Sequence, residues 1–146
     1  MRRILLPIAA ATLLIGAVQA QDEASYDGRY MGHGEGELTV VLEKLEGNVY
    51  AIDIQTIVPY ENNIPGCSGG ISGQMPMGES GGNFFVENED YESGSNSPML
   101  SERYCEIGLN FDENGFLILD ERSGCLAYHG ASCGFSGELM HEGAAG

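Results

Sequence analysis

From Tyr26 onward, apolar and polar side chains alternate in short runs, and the runs are separated by glycine, asparagine, aspartate or proline. Alternation with a period of two puts successive side chains on opposite faces of a strand, whereas a helix needs apolar positions three and four apart. Beyond the first twenty residues no window keeps the helical spacing, and the 22 glycines of the chain would weaken any helix that began. In "ELTVVLE" Leu38, Val40 and Leu42 share a face, and in "VYAIDIQTIV" Tyr50, Ile52 and Ile54 do the same. The turn residues "KLEGN" between them predict a hairpin. A second hairpin is cleaner: Cys105, Ile107, Leu109 and Phe111 alternate in "CEIGLNF", "DENG" turns the chain, and "FLILDE" returns. Gly115, closing that turn, suits the left-handed residue of a bulged hairpin loop.

Four shorter runs, "GRYMGHG", "GGISGQMPM", "NFFVENE" and "FSGELMH", bring the expected total to about eight strands in a meander. Strands at this spacing imply an all-β fold, here a small antiparallel up-and-down barrel, with a β-sandwich as the alternative. A chain that begins and ends with a strand can pair its two ends and so remove exposed sheet edges. Residues 78–101 look least regular, although Ser97-Pro98 suits the start of one helical turn. Residues 142–146 are expected to be a disordered tail.

The opening "MRRILLPIAAATLLIGAVQA" has a positively charged start at Arg2 and Arg3, an apolar stretch, and small residues before a cleavage point after Ala20. That is the pattern of a secretory signal, which places the mature domain at residues 21–141 and its destination in the periplasm or outside the cell. The formal charge is −16, and loss of the leader removes two of only six basic residues, leaving Arg29, Lys44, Arg103 and Arg122 against 22 acids. Such a field repels phosphate backbones and anionic lipid, so neither nucleic acid nor membrane insertion after signal cleavage is expected. It attracts a basic protein, a basic peptide or a divalent cation, and it also serves as a solvated surface that keeps an exported protein soluble.

All four cysteines, Cys67, Cys105, Cys125 and Cys133, follow the leader, and an even count in a small exported domain reads as two disulfides. Three connectivities are open. Cys125 and Cys133 flank one short loop, which favours a local clip between them and a long-range bridge from Cys67 to Cys105.

Candidate chemistry is sparse. "GCSGG" around Ser68 matches the G-x-S-x-G elbow, but that motif needs a strand before it and a helix after it on a parallel sheet. His33, Asp53 and Ser68 follow the order of a trypsin-type triad, yet a triad is defined by geometry on its scaffold. Ser68 is therefore read as part of a bent glycine-rich strand, and no catalytic residue is assigned. With the thiols consumed and no paired histidine spacing among His33, His129 and His141, no metal or cofactor is assigned either. Tyr128 and His129 are expected at the exposed apex of a Cys125 to Cys133 loop, a constrained contact surface. The acidic run containing Glu87, Glu89, Asp90 and Glu92 supplies either a solvated loop or oxygen ligands for Ca²⁺, without the spacing of an EF-hand.

The Gly-Cys before a glycine-rich strand, Cys105 opening an alternating strand, and then Cys125, "YHGASC" and "FSGEL" resemble a small β-rich module of exported bacterial proteins. That module is associated with the lysozyme-inhibitor-like group of the LprI type. The helical, cysteine-rich inhibitor domain of that group has no counterpart here, and no functional residue is carried over. The resemblance and the charge together imply a non-enzymatic binding protein that inhibits a cationic cell-wall hydrolase such as lysozyme. The contact residues would be Tyr128, His129 and the four acids. The alternative is a structural or stress-related envelope protein binding divalent cations, and an unrecognised hydrolase ranks third.

Overall fold

The computed structural model describes residues 25–144; the expected leader, residues 1–20, lies outside them, as do 21–24 and the last two residues of the tail. Eight strands follow one another: β1 (Gly28–Gly34), β2 (Glu37–Lys44), β3 (Val49–Val58), β4 (Cys67–Pro76), β5 (Gly81–Glu87), β6 (Tyr104–Phe111), β7 (Leu117–Ser123) and β8 (Gly137–His141). They form one antiparallel sheet in the order β4-β3-β2-β1-β8-β7-β6-β5, coiled into a nearly closed barrel. The predicted alternation becomes the inside and outside of that barrel. Leu38, Val40 and Leu42 of β2, Tyr50, Ile52 and Ile54 of β3, and Ile107 and Leu109 of β6 turn inward with Leu117, Leu119 and Leu139 to make one core. Residues 142–144, expected as the start of a tail, form a 3-10 turn, where Gly143 N donates to His141 Nδ1 at 3.0 Å.

The two ends of the chain do pair, with Met31 opposite Met140 and Gly32 opposite Leu139. The sheet nevertheless keeps two edges, at β4 and β5 in the middle of the sequence. In the lower half of this seam the buried Phe84 packs on Gly73, where an added Cβ would lie 3.1 Å from the ring. In the upper half, residues 128–130 take the place beside β4 that a pairing strand would occupy. Gly70 N donates to Tyr128 O at 3.0 Å, Gly130 N donates to Ser68 O at 3.4 Å, and Gly69 bridges His129.

The disulfides hold this insert in place, and their pairing corrects the expected one. Cys67 is bonded to Cys133 and Cys105 to Cys125; no bond joins Cys125 to Cys133. A clip across the short loop would have secured only the loop. The observed pairs fasten its two ends to β4 on one side of the seam and to β6, the neighbour of β5, on the other. Disulfides of this kind are typical of exported proteins, and among the described residues no helix is long and apolar enough to cross a membrane.

The two ends of the barrel differ. Connections 45–48, 77–80 and 112–116 are tight, with Gly47 (φ 58°) and Gly115 (φ 82°) in the left-handed region that such turns require. Inside this end Tyr26 stacks on Phe111 with ring centroids 4.3 Å apart, and Tyr30 meets Phe111 and His141 edge-on. The Tyr30 hydroxyl donates to Tyr26 O at 3.0 Å. The opposite end carries the turn 35–36 and the long connections 59–66, 88–103 and 124–136.

Non-reducing peptide mapping should recover Cys67 with Cys133 and Cys105 with Cys125. Their sequence separations of 66 and 20 give chain-entropy contributions of about 4 and about 3 kcal/mol respectively, so C67S/C133S should lower the urea midpoint more than C105S/C125S. The fold should also weaken at alkaline pH. Burial foremost, then the neighbouring Tyr50, Tyr26 and Asp27, pushes the Tyr30 phenol up to about 12. The unfolded chain releases this proton near pH ~10 while the folded chain retains it, so stability falls as pH rises from about 10 towards 12. Tyr30→Phe should flatten that part of the stability profile.

Candidate functional site

The long loops of one rim gather the residues that the sequence marked, and they do so unevenly. Val86, Glu87, Asn88, Glu89 and Asp90 line a shallow concavity of about 390 Å³ with Met99, Leu100, Ala127 and Tyr128. Glu87, Glu89 and Asp90 are therefore brought beside Tyr128. Glu92 is exposed farther along the same loop, its backbone N donating to Leu100 O at 2.9 Å. Larger hollows of about 440 and 470 Å³ lie at the tight-turn end and on the barrel wall, and neither contains these residues.

Neither Tyr128 nor His129 stands at an exposed apex. Tyr128 is half-buried against the core and its hydroxyl donates to Glu87 O at 2.9 Å, spanning from the seam insert to β5. Burial, and then the Glu89 carboxylate, raises its phenol above the ordinary value. The His129 side chain is 5 % exposed and packs edge-on against Phe135. Its Nε2 lies 3.0 Å from Glu121 Oε1 and its Nδ1 lies 2.7 Å from Gly130 O, so both ring nitrogens are already engaged. The expected contact histidine is thus a brace beneath the surface, its ring held between Phe135 and Glu121. Between the two cysteines the exposed residues are Leu126, Ala127 and 130–132.

Several residues that build the rim had no visible signal in the sequence. Asn88, inside the acidic run, is buried, and its Nδ2 donates to Glu102 O at 2.8 Å and to Gly124 O at 2.9 Å. It ties both ends of the 88–103 loop to the start of the next one. Glu121 accepts from Phe135 N at 2.8 Å through its other oxygen, and Glu35 accepts from Gly134 N at 2.7 Å. Two acids that composition would assign to the solvated surface therefore satisfy backbone donors of the insert. In the 78–101 segment Ser97-Pro98 opens a hydrogen-bonded turn, where Leu100 N and Ser101 N both donate to Ser97 O, and further turns close at Tyr91 on Asn88 O and at Ser95 on Glu92 O.

The hydroxyl of "GCSGG" has no catalytic neighbours. Asp53 on β3 is opposite Ser72, four residues along β4 from Ser68, and His33 sits on β1 between Glu37 and Glu138. The glycine after Ser68 has the structural role: a Cβ on Gly69 would come within 2.7 Å of His129 Cα and Tyr128 O. Among the described residues no three His, Cys, Asp or Glu side chains converge to hold a metal ion. The charges that remain are a fan of carboxylates. Arg103, 3.2 Å from Glu87, compensates one of them, while Glu89, Asp90 and Glu92 are exposed. With both partners of that pair well exposed, it orients the side chains more than it stabilises the fold.

The arrangement therefore offers an acidic edge over an apolar floor on a rim whose backbone is pinned. No family model, curated protein or solved structure matches this chain.

The close approach of Gly69 gives a direct check. Gly69→Ala should destabilise the protein by about 1–3 kcal/mol through overpacking against the insert. Gly70→Ala, whose Cβ would meet nothing nearer than Ile54 O at 3.7 Å, should cost far less, with urea unfolding as the measurement.

Proposed function

We propose that this chain is an exported, non-enzymatic binding protein, periplasmic or secreted, that takes up a cationic protein partner such as a lysozyme-type cell-wall hydrolase. The observation that carries this reading is the concavity in which Glu87, Glu89 and Asp90 border Met99, Leu100 and Tyr128. Carboxylates at the edge steer a basic surface and speed encounter, and the apolar floor gives a docked side chain somewhere to lose water. The formal charge of −16 extends the attraction beyond the rim. Both disulfides meet the rim, so its loops are held before any partner arrives, and less conformational freedom is lost on binding. Inhibition follows if the bound partner's active site is covered.

Purified mature protein titrated against lysozyme at low salt should bind it and slow lysis of cell-wall substrate, with affinity falling as salt is raised. E89Q/D90N should reduce the association rate several-fold and flatten the salt dependence. Absence of binding and of inhibition at micromolar excess in low salt overturns the reading.

A further inference from the structure

The 59–66 connection projects from the same rim and is organised beyond what its length requires. Its tip is a tight turn in which Ile64 N donates to Glu61 O at 2.8 Å, with Asn62 at φ 51° and Asn63 at φ 64°. Consecutive left-handed residues make a type I′ turn, and asparagine is among the few non-glycine residues that adopt them readily. The Tyr60 hydroxyl donates to Asn63 Oδ1 at 3.3 Å, and Pro59 and Pro65 fix the backbone on either side. At the foot, a Cβ on Gly66 would lie 2.6 Å from Val58 O, and the next residue, Cys67, is bonded to Cys133. A loop held by a hydrogen-bonded turn, two prolines and a disulfide keeps one shape without a partner.

That shape turns apolar groups outward. Tyr60 and Ile64 are each 67 % exposed, the highest values among the large apolar side chains of the described residues. The core does not use them. An aromatic and a branched aliphatic side chain on a rigid protrusion have the form of a hot spot whose pocket is on the other molecule. Electrostatics fixes the sign of that molecule. Glu61 sits on the turn, Glu35 and Glu37 flank a hollow with Val58 and Pro59 at its foot, and Glu89, Asp90 and Glu92 lie on another loop of the same rim. The matching surface is an apolar cleft bordered by lysine or arginine.

We propose that the 59–66 loop is the anchoring element of the interface, entering a concave apolar cleft of the cationic protein partner with Tyr60 and Ile64 as its buried contacts. The inference rests on the binding reading above and assigns the two parts of the rim different tasks. The acids govern encounter, and the tip governs how long the complex lasts. Removing a hot-spot side chain acts mainly on dissociation, whereas removing an edge charge acts on association and salt dependence.

The test compares Y60S/I64S with E89Q/D90N and the unaltered mature protein, using lysozyme as the probe in surface-plasmon-resonance kinetics at two salt concentrations. Both tip side chains are exposed, and retention of both disulfides and of the far-UV spectrum establishes that the variant is folded. Y60S/I64S should bind at least about 10-fold more weakly, through faster dissociation, with the salt dependence of association unchanged. If it dissociates like the unaltered protein, the tip is not the anchor, while the acidic-edge reading stands. If the unaltered protein does not bind lysozyme at all, the binding reading fails and the tip assignment fails with it.

Discussion

The structure depends on how the barrel is closed. Seven of the eight possible neighbour contacts around the sheet are strand ladders, and the eighth, between β4 and β5, is not. An unpaired seam leaves edge N–H and C=O groups exposed and lets the core open to water. Here the upper part is filled by residues 128–130, a segment too short to hold a strand position by its own hydrogen bonds. Cys125 fastened to Cys105 and Cys133 fastened to Cys67 hold it at both ends. The covalent path from β6 through the insert to β4 substitutes for the missing ladder.

The rim acquires its rigidity from the same device. The insert carries Tyr128, whose hydroxyl reaches the backbone of Glu87, and Gly124, at the start of the same connection, offers its carbonyl to Asn88. The acidic loop is thus tied to the seam through backbone acceptors rather than through its carboxylates, of which Glu87 pairs with Arg103 while Glu89, Asp90 and Glu92 face solvent. Cys67 at the foot of the 59–66 loop extends the bracing to the protruding tip. The three long connections are therefore one mechanical unit, while at the opposite end the tight turns and the Tyr26, Tyr30 and Phe111 cluster close the core.

The fold was legible because burial in a barrel of this kind follows a period of two. The whole of β1 and β3 could be bounded from alternation and turn residues, and the left-handed Gly115 was marked by its turn. Closure was not legible, since nothing in an alternating run says which neighbouring pair will lack a ladder. The disulfide pairing failed for the same reason. Proximity in sequence favoured Cys125 with Cys133, but the segment between them crosses the seam with a turn on either side of His129, and each cysteine faces a different wall. His129 illustrates the limit for site residues: a histidine in a constrained loop has the same signature whether it points outward or bonds Glu121. Glu87, Glu89 and Asp90 were legible as a charge run, whereas Asn88 in their midst, the one that fixes them, looked like another solvated polar residue.

Charge and crosslinking are connected. With 22 acids against six basic residues in the whole chain, like charges crowd every face of a small barrel, and their mutual repulsion favours expansion. Part of that cost is relieved where carboxylates accept protein donors, as Glu121 and Glu35 do on the insert. Of the exposed acids of the rim only Glu87 has a cationic partner, Arg103, and a loop carrying the others would swell if only weak contacts held it. Crosslinks act on the unfolded chain, and their effect does not depend on screening. Placing both of them at the foot of the acid-bearing rim allows a dense negative surface to coexist with a fixed backbone, the combination a small protein needs to attract a basic partner without first being reshaped by it.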